Sequence, residues 1–228
     1  MNPRDEDAAA KKQDLDARII ACRRCPRLVE WRERVAREKR AAFADQEYWG
    51  KPVPGFGDLG ARLLIVGLAP AAHGANRTGR IFTGDRSGDF LFSSLWRTGY
   101  ANQPTATWRD DGLELTDAYV TSPVRCAPPQ NKPTTTERDN CRPFLEEEMS
   151  ILDQVRVVVA LGGFGYAEAA RFMGISRRPK FTHGVEARSP DGRFLLGSYH
   201  VSQQNTFTGR LTDDMLDAIF VRARELIA

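Results

Sequence analysis

Four continuous apolar runs constrain this chain more than anything else in it. They are Arg62-Leu-Leu-Ile-Val-Gly67, Ala118-Tyr-Val-Thr-Ser-Pro-Val124, Val155-Arg-Val-Val-Val-Ala-Leu161 and Arg193-Phe-Leu-Leu-Gly-Ser-Tyr199. A short run that is apolar on successive residues is a strand buried on both faces. Helical patterns lie between and after the runs, at about 87–98, 136–152, 163–173 and 212–227. The last is opened by Thr212, an N-cap residue type, with Asp213 and Asp214 in the first turn. Strands alternating with helices predict an α/β fold with a central parallel sheet covered on both faces. Residues 14–42 read as helical with a break near Cys25-Pro26, and residues 43–60, rich in Pro and Gly, as a loop. The polar stretch 1–13 reads as a disordered start, which leaves 14–228 as one domain.

The chain has 228 residues, 41% of them hydrophobic and 28% charged, as expected of a globular protein. No apolar run reaches the roughly 18–20 residues of a membrane span, so no membrane partner is expected. The net charge of +3 says little, but its distribution says more. Between Arg23 and Arg40 stand eight basic residues and three Glu, a surface compatible with phosphate and equally with a solvated helix face.

In a parallel sheet, ligands bind beyond the carboxyl ends of the strands. That rule selects Gly67-Leu-Ala-Pro-Ala71, the Cys126-Ala-Pro-Pro-Gln-Asn131 loop, Gly162-Gly163 and His200-Val-Ser-Gln-Gln-Asn205. The first segment continues through small residues, which let backbone approach a ligand, to Phe82 and Asp85. Phe82 is either core or a stacking surface for a flat ligand. Asp85 is either a helix N-cap or a carboxylate that orients water. The segment carries neither G-x-G-x-x-G nor Gly-Lys-Ser/Thr, so it is no dinucleotide fingerprint or P-loop. The segment after Tyr199 holds His200, Gln203, Gln204, Asn205 and Arg210, a density of polar groups that suits a ligand-facing loop. No G-x-S-x-G elbow is present. His73 and His183 fall in loops and read as incidental.

The chain has four cysteines, Cys22, Cys25, Cys126 and Cys141. Residues Met1 to Asp16 are charged and lack an apolar core, which argues against a secretory signal and against disulfides. Four thiolates from two distant segments suit a closed structural site, either zinc or an iron–sulfur cluster, and spacing does not choose between them.

At these residues the sequence resembles the uracil-DNA glycosylase superfamily, in particular its iron–sulfur branch B, also called family 5. Gly67-Leu-Ala-Pro-Ala71 resembles the first motif of that branch; the sister branch, family 4, has an acidic residue where this chain has Leu68. His200-Val-Ser-Gln-Gln-Asn205 resembles the second motif, and the four cysteines match the ligands of a [4Fe–4S] cluster. The likeness runs over roughly residues 17–225. It implies a three-layer α/β/α sandwich around a four-stranded parallel sheet. It also implies a monofunctional glycosylase that flips uracil, hypoxanthine or xanthine out of DNA, hydrolyses the N-glycosidic bond and so initiates base excision repair. The roles carried over are catalytic for Asp85, Asn131 and His200, and base-contacting for Gly67, Ala69, Ala71, Phe82 and Ser122. Gln203, Gln204, Asn205 and Arg210 would contact DNA. Ser122 stands where the sister branch has an Asn that reads the uracil edge, which implies weaker selectivity for uracil. The implied partners are double-stranded DNA and also single-stranded DNA, met by a cytoplasmic, nucleoid-associated monomer. The alternative is a non-catalytic nucleic-acid-binding module that uses the metal group as a staple.

Overall fold

The computed structural model of the chain describes residues 3–228. In chain order its main elements begin with α1 (Pro3–Ile20), α2 (Pro26–Glu38), β1 (Phe56–Gly57), β2 (Leu63–Val66) and α3 (Ala75–Thr78). They continue with α4 (Arg86–Arg97), β3 (Ala118–Thr121), α5 (Thr135–Ile151), β4 (Val157–Leu161) and α6 (Gly162–Phe172). The last are β5 (Glu186–Arg188), β6 (Phe194–Ser198), α7 (Gln203–Phe207) and α8 (Asp213–Ile227).

The sheet has six strands in the order β1-β3-β2-β4-β6-β5. The four strands read from the apolar runs form its parallel centre, β3-β2-β4-β6. The expected four-stranded, wholly parallel sheet is therefore corrected to a mixed one, because β1 and β5 add an antiparallel edge on each side. Both edges are two or three residues long and lack a buried apolar run, so hydrophobic patterning does not announce them.

Period-two alternation sends the central side chains to opposite faces. Leu63, Ile65, Val157 and Val159 pack with Leu91, Phe92 and Leu95 of α4 and Phe220 of α8. Leu64, Val66, Val158 and Ala160 pack with Tyr166, Ala169 and Ala170 of α6. α1 lies over α5, where Leu15 and Ile19 meet Phe144 and Ile151. This corrects the expected disorder over residues 1–13: from Pro3 onward they belong to α1, and residues 1 and 2 lie outside the described residues. The signals that carry the helix are the i,i+4 pairs Lys11–Asp7 and Lys12–Asp16 together with the buried Leu15 and Ile19.

A buried charge cluster joins the sheet to the cysteine-bearing segments. Glu148 of α5 accepts from Arg125 Nη2 at 2.6 Å, Tyr119 Oη at 3.0 Å and Thr121 Oγ1 at 2.5 Å. Burial alone would raise the Glu148 carboxyl, but the Arg125 charge and the bonds from Arg125 and Thr121 hold it below the usual carboxylate range. Its contribution to stability is therefore present above the unfolded carboxylate pKa of about 4.3 and is lost as pH falls through the lowered folded value. Glu148→Ala leaves Arg125 buried and unmatched, with an expected loss of about 3–5 kcal/mol. Urea unfolding of the variant against the parent checks this; a loss below 1 kcal/mol, on the order of an exposed pair, would contradict the role.

Candidate active site

Strand order reverses between β2 and β4, where the chain first adds β3 on one side and then β4 on the other. At that switch, beyond the carboxyl ends, lies a cavity of about 200 Å³. Its wall brings together Ala69, Ala71, Phe82, Asp85, Asn131 and His200. Residues from the β2, β3 and β6 ends thus converge, as the strand-end rule predicts, whereas Gly162 and Gly163 after β4 do not line the cavity.

Local strain shapes this wall. Phe82, Gln130 and Asn131 have φ of 50°, 55° and 56°, three of the five non-glycine residues with positive φ among the described residues. Left-handed backbone at such residues costs on the order of 1–3 kcal/mol and persists where surroundings impose it. For Phe82 the surroundings are clear. Its ring lies on the Cα of Gly67, where a Cβ would come within 2.8 Å of two ring carbons. It also stands 6.3 Å from the His200 ring, tilted by 38°. Gly67 therefore acts through Phe82 and does not itself line the cavity.

Asp85 is both things its sequence position suggested. It is the N-cap of α4, accepting from Gly88 N at 3.0 Å, and it faces the cavity. Burial raises its pKa, and the backbone N–H groups of Gly88 and Ser87 and the charge of Arg77 moderate the rise. His200 follows β6 and has its carbonyl held by Asn205 Nδ2 at 2.8 Å. Burial lowers its pKa to about 4, so the imidazole is neutral at physiological pH and keeps one N–H donor.

Several expected contacts fall elsewhere. Ser122 is buried and donates to the Val124 carbonyl at 2.9 Å, so its hydroxyl is occupied within its own turn and does not line the cavity. Arg210 lies over the Tyr199 ring at 4.5 Å, and Asn205 supports His200; neither lines the cavity or the groove beside it. Gln203 and Gln204 do line that groove, which has a volume of about 1110 Å³ and opens from Ala71, Asp85 and Asn131. Its far wall holds Arg40, from the basic stretch 23–40, together with Trp31, Phe43, Arg77 and Trp108, residues that the sequence reading left unassigned. Arg77 is buried, sits 4.0 Å from the Phe43 ring and donates to Gln46 and to the carbonyls of His73 and Gly84. The mixture of aromatic and basic residues in 31–49 was the available signal. His73 also lines the groove and pairs with Tyr48 Oη at 3.0 Å, whereas His183 accepts from the Tyr199 amide.

The four cysteines are free and line one small cavity, with Arg24, Val29 and Phe144 among its other walls. Cys25, Cys126 and Cys141 are buried and Cys22 is partly exposed. Burial pushes the Cys126 thiol up to about 12 and the Cys141 thiol to about 11. Among the described residues, no three His, Cys, Asp or Glu side chains converge closely enough for one ion. The donor set of four thiols around one cavity fits a larger thiolate-bound group.

The sequence profile of the uracil DNA glycosylase superfamily matches residues 54–224. A type-5 uracil-DNA glycosylase of Mycobacterium leprae is 57% identical over 216 residues, covering 93% of this chain and 94% of that protein. The Thermus thermophilus protein of the same name is 50% identical, covering 91% of this chain and 94% of its own. A type-4 uracil-DNA glycosylase of Pyrobaculum aerophilum is 30% identical over 64% of this chain and 66% of its own length. The chain belongs to the uracil-DNA glycosylase superfamily.

Gly74 ties Asp85 to its position, since a Cβ there would overlap Asp85 Oδ2. Gly74→Ala should displace the carboxylate and weaken the α4 cap, costing about 1–2 kcal/mol of stability. Thermal unfolding checks it; an unchanged midpoint would mean the carboxylate moves freely.

Proposed function

We propose that the chain is a monofunctional DNA glycosylase that hydrolyses uracil, and also hypoxanthine and xanthine, from DNA. The observation that carries this reading is the convergence of Asp85, Asn131 and His200 under Phe82 in one strand-end cavity. The scissile bond is shielded inside a duplex, so the damaged nucleotide must leave the stack. The cavity receives the flipped base, and Phe82 stacks on it, a contact worth about 1–3 kcal/mol.

Breaking the C1′–N bond leaves the electron pair on the base and positive charge on the sugar. The neutral His200 donates its N–H to the carbonyl oxygen of the departing base. Asp85 Oδ1 is occupied by the Gly88 amide, which leaves Oδ2 to orient water toward C1′ and take its proton. The raised pKa makes Asp85 a stronger base than an exposed carboxylate. Asn131 positions the water or the base. The rest of the wall is largely apolar, with Leu68, Ala69, Ala75 and Ile81 and no side chain of Ser122, which supports acceptance of purines as well as uracil. Arg40 and Arg86 form no ion pair among the described residues, unlike most arginines of this chain, and suit DNA phosphates along the groove. Phe207 is 65% exposed at the end of α7, beside Arg86, and suits the space vacated in the stack.

We also propose that Cys22, Cys25, Cys126 and Cys141 hold a [4Fe–4S] cluster. When bound, it crosslinks the α1–α2 junction to the Cys126 loop and α5. Anaerobically purified protein should be brown and contain iron and sulfide, and Cys126→Ala should be pale and unstable. Zinc without sulfide would overturn this part.

The activity is tested by base release from end-labelled duplexes carrying uracil or hypoxanthine, read as strand breaks after alkali. Breaks on both substrates, only after alkali, are expected. No breaks with brown, loaded protein would favour a non-catalytic binding module. Asp85→Ala should slow release by about 10²–10⁴-fold with DNA affinity retained. In the parent the rate should fall as pH drops through the raised Asp85 pKa, above the usual value of about 3.9, with no inflection near 6.5 from His200. An acid limb that persists in Asp85→Asn would remove Asp85 from the chemistry.

A further inference from the structure

Two guanidinium groups lie buried beside the cysteines, and among the described residues only one has a carboxylate within hydrogen-bonding distance. Arg125 pairs with Glu148 at 2.6 Å. Arg32 of α2 is 2% exposed, yet its nearest carboxylate is Glu33 Oε1 at 4.0 Å, and Arg23 holds that group. Its Nη1 points at Cys126 Sγ at 2.9 Å, its Nη2 donates to the Cys22 carbonyl at 3.2 Å, and its Nε has no partner. A guanidinium does not shed its proton in proteins, and a buried unmatched charge is strongly unfavourable. The geometry therefore calls for an anion on the cysteine side. Four thiolates with a bound cluster supply one, and hydrogen bonds to the ligating sulfurs govern how such groups are held.

We propose that Arg32 is the buried counter-charge of the group held by the four cysteines and sets how long that group stays bound. Asn140 Nδ2, 3.4 Å from Cys25 Sγ, provides a second, neutral donor. The Arg32 side chain faces the cysteines, while its carbonyl accepts from the buried Asn76 Nδ2 at 3.2 Å, in the helix next to the base cavity. A side-chain replacement therefore removes the charge and spares the backbone link to α3.

The inference rests on the cluster reading above, and one experiment separates the two. Loaded protein is challenged anaerobically with an iron chelator, and visible absorbance and far-ultraviolet dichroism are followed together. Wild-type protein without iron and sulfide would overturn the cluster reading itself. With coloured wild type, Arg32→Gln should bleach about 10–100-fold faster, and bleaching should precede any loss of dichroism. Arg32→Lys, which keeps the charge and loses the fork, should bleach at a rate between the two. Equal bleaching of Arg32→Gln and wild type would overturn the proposal. So would bleaching that follows unfolding in step, with Lys no better than Gln. If Arg32→Gln does not fold, Arg32→Lys decides: purified protein that keeps its colour supports the counter-charge role, and protein as pale as Cys126→Ala overturns it.

Discussion

The buried carboxylate of Glu148 is the point on which the other parts depend. It takes hydrogen bonds from Tyr119 and Thr121 on β3 and from Arg125 on the loop beyond that strand. One group thus fixes α5 against the sheet and sets the path of the loop that carries Cys126 and ends at Asn131. The same helix carries Cys141, and its capping box, closed by Thr134 and Glu137, is gripped from α2 by Arg27 at 2.7 Å. The charge network therefore gathers the segments that bear the cysteines. In a low-dielectric interior such a network is favourable when its members are satisfied and costly when one is removed.

The strand-end cavity follows a different logic, of missing side chains and imposed strain. Gly67 and Gly74 are open where Phe82 and Asp85 need room, and Phe82 is held in left-handed backbone above the first of them. An aromatic face, a carboxylate and a neutral imidazole are thereby fixed before any ligand arrives. Such preorganisation is how a site stabilises charge that develops during a reaction without rearranging. The groove continues this wall with aromatic and cationic side chains, the combination that nucleic-acid strands require.

Much of this was legible in the chain. The four apolar runs became the parallel centre of the sheet, the strand-end rule selected the segments of Asn131 and His200, and the small-residue stretch after β2 led to Asp85, which shares their cavity. Two short edges were not legible, because pairing at an edge needs backbone hydrogen bonds and hardly any hydrophobic signal. The start of α1 was not legible, since the helix is held by packing of Leu15 and Ile19 on α5 across more than a hundred residues. The surroundings of Ser122 were not legible for a related reason. Its hydroxyl is taken by the carbonyl of Val124, a contact that depends on the turn after β3.

The sequence by itself determined the four central strands, the Thr212 cap, the cysteine set and the polar clusters at the strand ends, because these are properties of local pattern and residue chemistry. Only the tertiary structure decided which of those groups face one another. That Phe82 rests on Gly67, that Arg32 reaches Cys126 and that Trp108 shares a groove with Phe43 are facts of chain crossing. Separation in sequence carries no information about such meetings, because they are set by how the layers pack and by which side chain is left to fill the space between them.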